Sequence, residues 1–244
     1  MSRKNWTDKK IFERLLYNKT QQTFWNNINE LQNRPNQFVY DTAYKLAQSS
    51  DEKERIIGIY VLAQLGFDPR MYQQKTVDLY FDLLKNETSL KVLVALLSSI
   101  GHNNDRLSTK QINQLINFNL KNHHLSTIRY YVVMSLLSVK DDSAISTLIE
   151  LSNDCFSNIR NWATFGLGSQ IEIDNPTIKK SLWNRVNDID EETKMEAIIG
   201  LSERKDEKIR KMILQELDYA KNNTDYAEKW SETLNECLKT LDEM

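Results

Sequence analysis

The chain has 244 residues, 40% of them hydrophobic and 27% charged, with 32 Lys and Arg against 34 Asp and Glu for a formal net charge of -2. That is long enough for a large core, too apolar for disorder, and without the basic excess that nucleic-acid binders use to displace counterions. Six glycines and three prolines leave little room for a many-turned sheet or a glycine-rich nucleotide loop.

In chain order, residues 1–35 carry two short amphipathic patterns, KKIFERLLY and QTFWNNINELQ, which predict a helical cap over the open end of a stack. From residue 36 to 244 the chain reads as pairs of helices, continuous with the cap as one domain. The first helix of each pair is QFVYDTAYKLAQ, MYQQKTVDLYFDLLK, KQINQLINFNLK, SAISTLIELS, PTIKKSLWNRV and EKIRKMILQELDYAK in turn. Apolar residues recur in them at helical spacing, as at Val77, Tyr80, Phe81 and Leu84. Helix-starting residues stand at the joints: Ser50-Asp51, Asn86, Ser126, Asn153-Asp154, Asp190 and Asp225. Pro69 and Pro176 fall near helix starts, where a missing N–H costs least.

The second helices define the period. Each opens on a basic residue and continues apolar: Arg55 before IIGIYVLAQLG, Lys91 before VLVALLSSIG, Arg129 before YYVVMSLLSV, Arg160 before NWATFGLGSQ and Lys194 before MEAIIGLSER. Successive starts lie 36, 38, 31 and 34 residues apart, and a degenerate sixth copy begins 35 residues later at Lys229. A helix pair of this length cannot bury its own apolar face and must stack on its neighbours. Residues 225–244 are expected to close the far end.

Three residues after the basic position stand Val132, Ala163 and Ala197, and seven after it Leu136, Leu167 and Leu201. Small residues at the first position let helices approach closely, and leucines at the second fill the layer between repeats. This pattern resembles the bacterial lyase-type HEAT-like repeat, most specifically over about residues 140–218, where NIRNWATFGLGSQ is followed by ETKMEAIIGLSERKD. The chain departs from it where Lys91 and Lys194 replace the usual arginine and where Leu90 and Thr193 take the usual valine-like position. The resemblance implies an all-α, right-handed α-α superhelix of five to six helix pairs whose second helices line a concave surface. It extends to small bacterial HEAT-repeat proteins that serve as immunity partners at toxin loci. That implies an immunity or adaptor role in which the chain, as a monomer, sequesters a partner protein such as a toxin.

No catalytic constellation is evident. His102, His123 and His124 lack metal-ligand spacing and read as turn residues. Gly166 and Gly168 sit inside a helical pattern with no preceding strand, so they read as packing glycines rather than a phosphate loop. Cys155 has no activating His or Asn pattern and reads as a small packing residue. Glu191-Glu192 and Asp141-Asp142 read as helix-start carboxylates. Neither metal nor cofactor is expected. With only two cysteines, Cys155 and Cys237, no apolar run of about 18 residues and no signal-peptide pattern, a cytoplasmic protein with reduced thiols is expected and no membrane partner.

Large side chains gather in the third to fifth repeats. Tyr131 and Met134, then Trp162 and Phe165, hold the second and fifth positions after successive basic residues, on a stripe distinct from the core seam. Tyr130 and Asn161 stand beside them, with Arg129, Arg160, Glu196 and Arg204 as charged neighbours. Two readings remain open: the stripe anchors a protein partner, or it packs on the neighbouring repeat. The alternative function is a HEAT-like DNA glycosylase, which needs a basic groove with aromatic residues and a carboxylate at the lesion; the paired tryptophans of such a site are absent and the net charge opposes it.

Overall fold

The computed structural model describes residues 3–243, and among them it contains fourteen α-helices and no strand. Two compact units result, the first up to Leu120 and the second from Lys121.

The first unit holds α1 (Asp8–Leu16), α2 (Gln21–Gln32), α3 (Gln37–Ala47), α4 (Glu52–Gln64), α5 (Gln73–Leu84), α6 (Leu90–Gly101) and α7 (Thr109–Asn117). Helix α4 is its centre, packed on α2, α3 and α6. Gly58 makes the α3–α4 approach possible: a β-carbon there would stand 2.5 Å from the Ala43 carbonyl oxygen and closer still to the Ala47 nitrogen. Ile57, Ile59, Val61, Leu62 and Ala63 are buried almost throughout, so α4 is apolar on most of its circumference. Arg34 ties down the N-terminal segment. Its guanidinium donates to the carbonyls of Arg3, Lys4 and Trp6 and pairs with Asp8 and Glu30 at 2.9 and 2.6 Å.

The second unit holds α8 (Ser126–Leu136), α9 (Asp142–Leu151), α10 (Ser157–Phe165), α11 (Pro176–Trp183), α12 (Glu191–Glu203), α13 (Arg210–Ala220) and α14 (Thr224–Asp242). Three pairs follow one another, α9 with α10, α11 with α12 and α13 with α14, and the second helices α8, α10, α12 and α14 pack in series. The last three predicted helix pairs are therefore present in this unit, and the degenerate copy at Lys229 lies within α14. Helix α10 does not end at Phe165 but widens into a π-helical turn, Gly166–Gln170.

Several predicted helix starts differ. Asp51 and Asp190 cap α4 and α12 with their side chains, and Pro176 is the first residue of α11. Helix α6 is capped by Ser89 instead of Asn86. Ser126 is the first residue of α8 behind Leu125, whose side chain cannot cap, and α14 follows Asn223, two residues before Asp225. Asp154 lies two residues before the Phe156 N-cap of α10 and accepts its amide at 2.9 Å. Pro69 precedes α5 by several residues. Before α6 and α10 an acidic side chain, Glu87 and Asp154, organises the turn, and the helix begins after it.

Candidate protein-binding face

The recurrent basic residue is first of all a clasp. Arg160 donates from Nε and one terminal nitrogen to the two carboxylate oxygens of Asp188 at 2.9 and 2.8 Å, and from the other to the Asp154 and Cys155 carbonyls. Arg129 repeats this one repeat earlier: 2.6 and 2.9 Å to Asp154, and the remaining nitrogen on the carbonyls of His123 and His124. In the first unit Arg55 holds Glu87 and the carbonyls of Ser49 and Ser50. Each arginine thus fastens the turn behind it and the acid of the next repeat, a bidentate arrangement that a lysine cannot reproduce. Where lysine stands, the partner changes: Lys91 reaches Glu52, and Lys194 reaches Glu216. The acids lie four to six residues before the next repeat's basic residue, a spacing the sequence reading overlooked.

The clasps set the electrostatics of the turns. Burial pushes the Asp154 and Asp188 carboxyls up, but hydrogen bonds from the arginines and from backbone amides outweigh it, and both lie below the ordinary carboxylate range.

Beside the clasps lies the predicted stripe. Tyr131 and Trp162 occupy equivalent positions of α8 and α10 and are half-buried, as are Tyr130, Met134, Asn161 and Phe165. Positions two and five residues after the basic residue fall within about 60° of each other around a helix, so these rings share a face. Trp162 meets Phe165 edge to face at 5.5 Å, and Tyr130 meets Tyr131 at 5.2 Å, so each pair is pre-ordered. Glu196 holds the equivalent position of α12. It is half-buried; burial, with the charge of Glu192 and against the influence of the nearby Ser169 hydroxyl in the π-helical turn, pushes its carboxyl up to about 7.

Arg204 has a different setting. One terminal nitrogen donates to the Gly168 and Gly200 carbonyls at 2.6 and 2.8 Å, and the other to those of Leu167 and Ile171. The π-helical turn breaks the regular bonding of α10's last turn, and this guanidinium satisfies the carbonyls released there. Of the predicted site residues, then, Tyr130, Tyr131, Asn161, Trp162, Phe165 and Glu196 lie on or beside one face, while Arg129, Arg160 and Arg204 are engaged within the repeats.

Gly166 and Gly168 are buried packing glycines, as expected. A β-carbon on Gly166 would come 2.9 Å from Leu137, and one on Gly168 would come 3.0 Å from the Glu196 carbonyl oxygen. Cys155 corrects the sequence reading: it is exposed, at the rim of a cleft of about 370 Å3 that also includes Lys121, His123, His124 and Glu150, and its sulfur lies 3.8 Å from Arg129. It follows the clasped Asp154 in a surface turn and has no core to fill. His123 accepts the Leu125 amide through Nδ1 and stacks on His124. Among the described residues, no group of three or more His, Cys, Asp or Glu side chains is placed to hold a metal ion, and no helix is long and apolar enough to cross a membrane.

No family model matches the chain. Protein YibA of Escherichia coli K12 is 34% identical over 101 residues, a stretch covering 41% of this chain and 35% of YibA. The X-ray structure of E. coli YibA superposes with a TM-score of 0.74 at 21% identity, over 99% of this chain and 94% of that one. An archaeal HEAT-like repeat protein from Thermococcus onnurineus NA1 gives a TM-score of 0.61 at 14% identity, over 97% and 98% of the two chains. A designed armadillo repeat protein in complex with the peptide (KR)4 gives 0.53 at 15% identity, over 80% and 98%. The fold is that of the HEAT-like and armadillo helical-repeat solenoids.

Proposed function

We propose that the chain is a non-catalytic protein-binding solenoid acting in the cytoplasm, an immunity or adaptor protein that sequesters its partner on the face of α8, α10 and α12. The observation that carries this reading is the pair of ordered, half-buried aromatic contacts, Tyr130–Tyr131 and Trp162–Phe165, on successive helices, with Tyr131 and Trp162 at matching positions. Aromatic residues that keep part of their surface in water, ringed by polar groups, are the usual anchors of protein interfaces. The arginine clasps supply the second requirement, a rigid platform that loses little freedom on binding. The designed armadillo protein shows that a solenoid of this class can hold a peptide, and this chain is read in that light.

Trp162→Ala tests the proposal. Partners captured from the native host by the wild-type protein are identified and purified, and their affinity is measured against both forms. An anchoring role predicts a loss of about 2 kcal/mol or more in binding with a nearly unchanged melt. A purely internal role predicts instead a loss of roughly 3–5 kcal/mol in stability, with binding retained in the cold, and that result would end the proposal.

A further inference from the structure

We infer that the partner presents a lysine or arginine side chain to this face, seated against the Glu196 carboxylate and the rings of Trp162 and Phe165. The inference rests on the docking reading above and adds the chemistry of the contact.

The first observation is a change of character along one stripe. The position held by Tyr131 in α8 and Trp162 in α10 is held in α12 by a carboxylate, Glu196. A glutamate carboxyl that is more than half buried is expensive unless a cation or several donors meet it. Elsewhere in the second unit the sheltered acids have such a partner: Asp154 has Arg129, Asp188 has Arg160 and Arg185, and Glu216 has Lys194. Glu196 has only the Ser169 hydroxyl nearby to lower its pKa, and the charge that faces it, Glu192 on its own helix, is of the same sign.

The neighbouring cations are committed elsewhere. From α10, Arg160 is held by Asp188; on α12 itself, Lys194 is held by Glu216 and Arg204 by backbone carbonyls; from α14, Lys229 lies 3.3 Å from Glu192. No ion pair joins Glu196 to a described basic residue. A missing counter-charge inside a pre-ordered face is a specification for its occupant.

The second observation concerns hydrogen bonding. Asn161, next to Trp162, has its carbonyl oxygen Oδ1 buried without a partner, while its Nδ2 lies 3.5 Å from Glu192. The Glu196 carboxylate is the charged acceptor that this part of the face presents. Lysine and arginine carry only donors. The rings of Trp162 and Phe165 add the electron-rich surface on which such cations rest. An acidic occupant would meet repulsion from Glu192 and Glu196.

Because Glu196 is held near neutrality, a cation that requires its ionised form binds with proton release, and affinity rises with pH until the carboxyl is ionised in the free protein. His123, whose imidazole burial holds below its ordinary value, lies in the turn before α8 and not beside α12.

The experiment uses the full chain and a dye-labelled octapeptide of alternating lysine and arginine, followed by fluorescence anisotropy at fixed ionic strength. Wild-type affinity is expected to increase about tenfold between about pH 6 and about pH 8. Glu196→Gln keeps the shape of the side chain and is expected to bind weakly with a flat profile, whereas Glu232→Gln, a change of the same charge on exposed α14 surface, follows the wild type. Equal affinity and equal pH dependence in Glu196→Gln, or equally tight binding of an octaglutamate peptide, overturns the inference. So does a captured protein partner whose binding depends on Trp162 but not on Glu196; that outcome leaves the docking reading standing, while indifference of such a partner to Trp162→Ala removes the docking reading itself.

Discussion

Gly168 and Gly200 stand against each other where α12 passes the π-helical turn at the end of α10, so close that a β-carbon on Gly200 would lie 2.5 Å from the Gly168 Cα. The atom in the way is backbone and cannot rotate aside. Gly200→Ala gains about 1 kcal/mol of helix propensity but forces the two helices apart, an overpacking cost of roughly 3 kcal/mol or more. The net expectation is a loss near 2 kcal/mol, measured by denaturant melts. A variant as stable as the wild type would mean that the approach is looser than described.

The clasp between Arg160 and Asp188 is sheltered, with side chains 12% and 4% exposed. Arg160→Ala leaves the sheltered Asp188 carboxylate with only Arg185 and the Asp190 amide, removes the donor from two carbonyls, and is expected to cost about 3 kcal/mol. Arg160→Lys keeps the charge but not the fork and is expected to lose roughly half as much. The graded order of the three melting temperatures is the check. Lys91→Ala, an exposed pair with Glu52, is expected to change stability by less than about 1 kcal/mol.

Acid should loosen the second unit through the same contacts. Asp154 and Asp188 have carboxyls held below the ordinary range. For a group whose folded pKa is depressed, the stabilisation is complete above the unfolded value, about 4, and is lost as pH falls through the folded value. Melting temperature is therefore expected to drop steeply below about pH 4. Asp188→Asn, already lacking the charge, should begin lower and fall less.

Glu196 has the opposite sign. Its folded pKa is raised to about 7, so without a partner its burial favours the protonated form, and stability declines as pH rises from the ordinary carboxylate range through neutrality. Glu196→Gln should abolish that decline. An unchanged stability profile in the variant would show that the carboxyl is better solvated than its surroundings indicate.

Much of the architecture was legible because two independent signals coincide. Apolar residues recur at helical spacing, and basic residues recur at the period of a helix pair. The aromatic stripe was legible for the same reason, since Tyr131 and Trp162 share a register position. Glu196 could be listed, but its isolation could not be read: it depends on where Arg160, Lys194, Arg204 and Lys229 spend their charges, and those partners lie up to 37 residues away. The helix starts at α6 and α10 were misplaced because a polar residue before a helix can cap it or belong to the turn ahead of it, and composition alone does not separate the two. The role of Cys155 turned on the same ambiguity, for it stands in one of those turns.

The turn at Asp154 is gripped twice, Arg129 taking its carboxylate and Arg160 its backbone carbonyl. A fluctuation that frees this turn must release two repeats at once, so the smallest opening event in this part of the chain spans more than one helix pair. In amide exchange, the Phe156 and Asp190 N–H groups, each bonded to a clasped aspartate, should then lose protection together, at a common opening free energy. The fasteners that make the platform stiff also make its breathing collective, and a partner seated across α10 and α12 would slow both amides by the same factor.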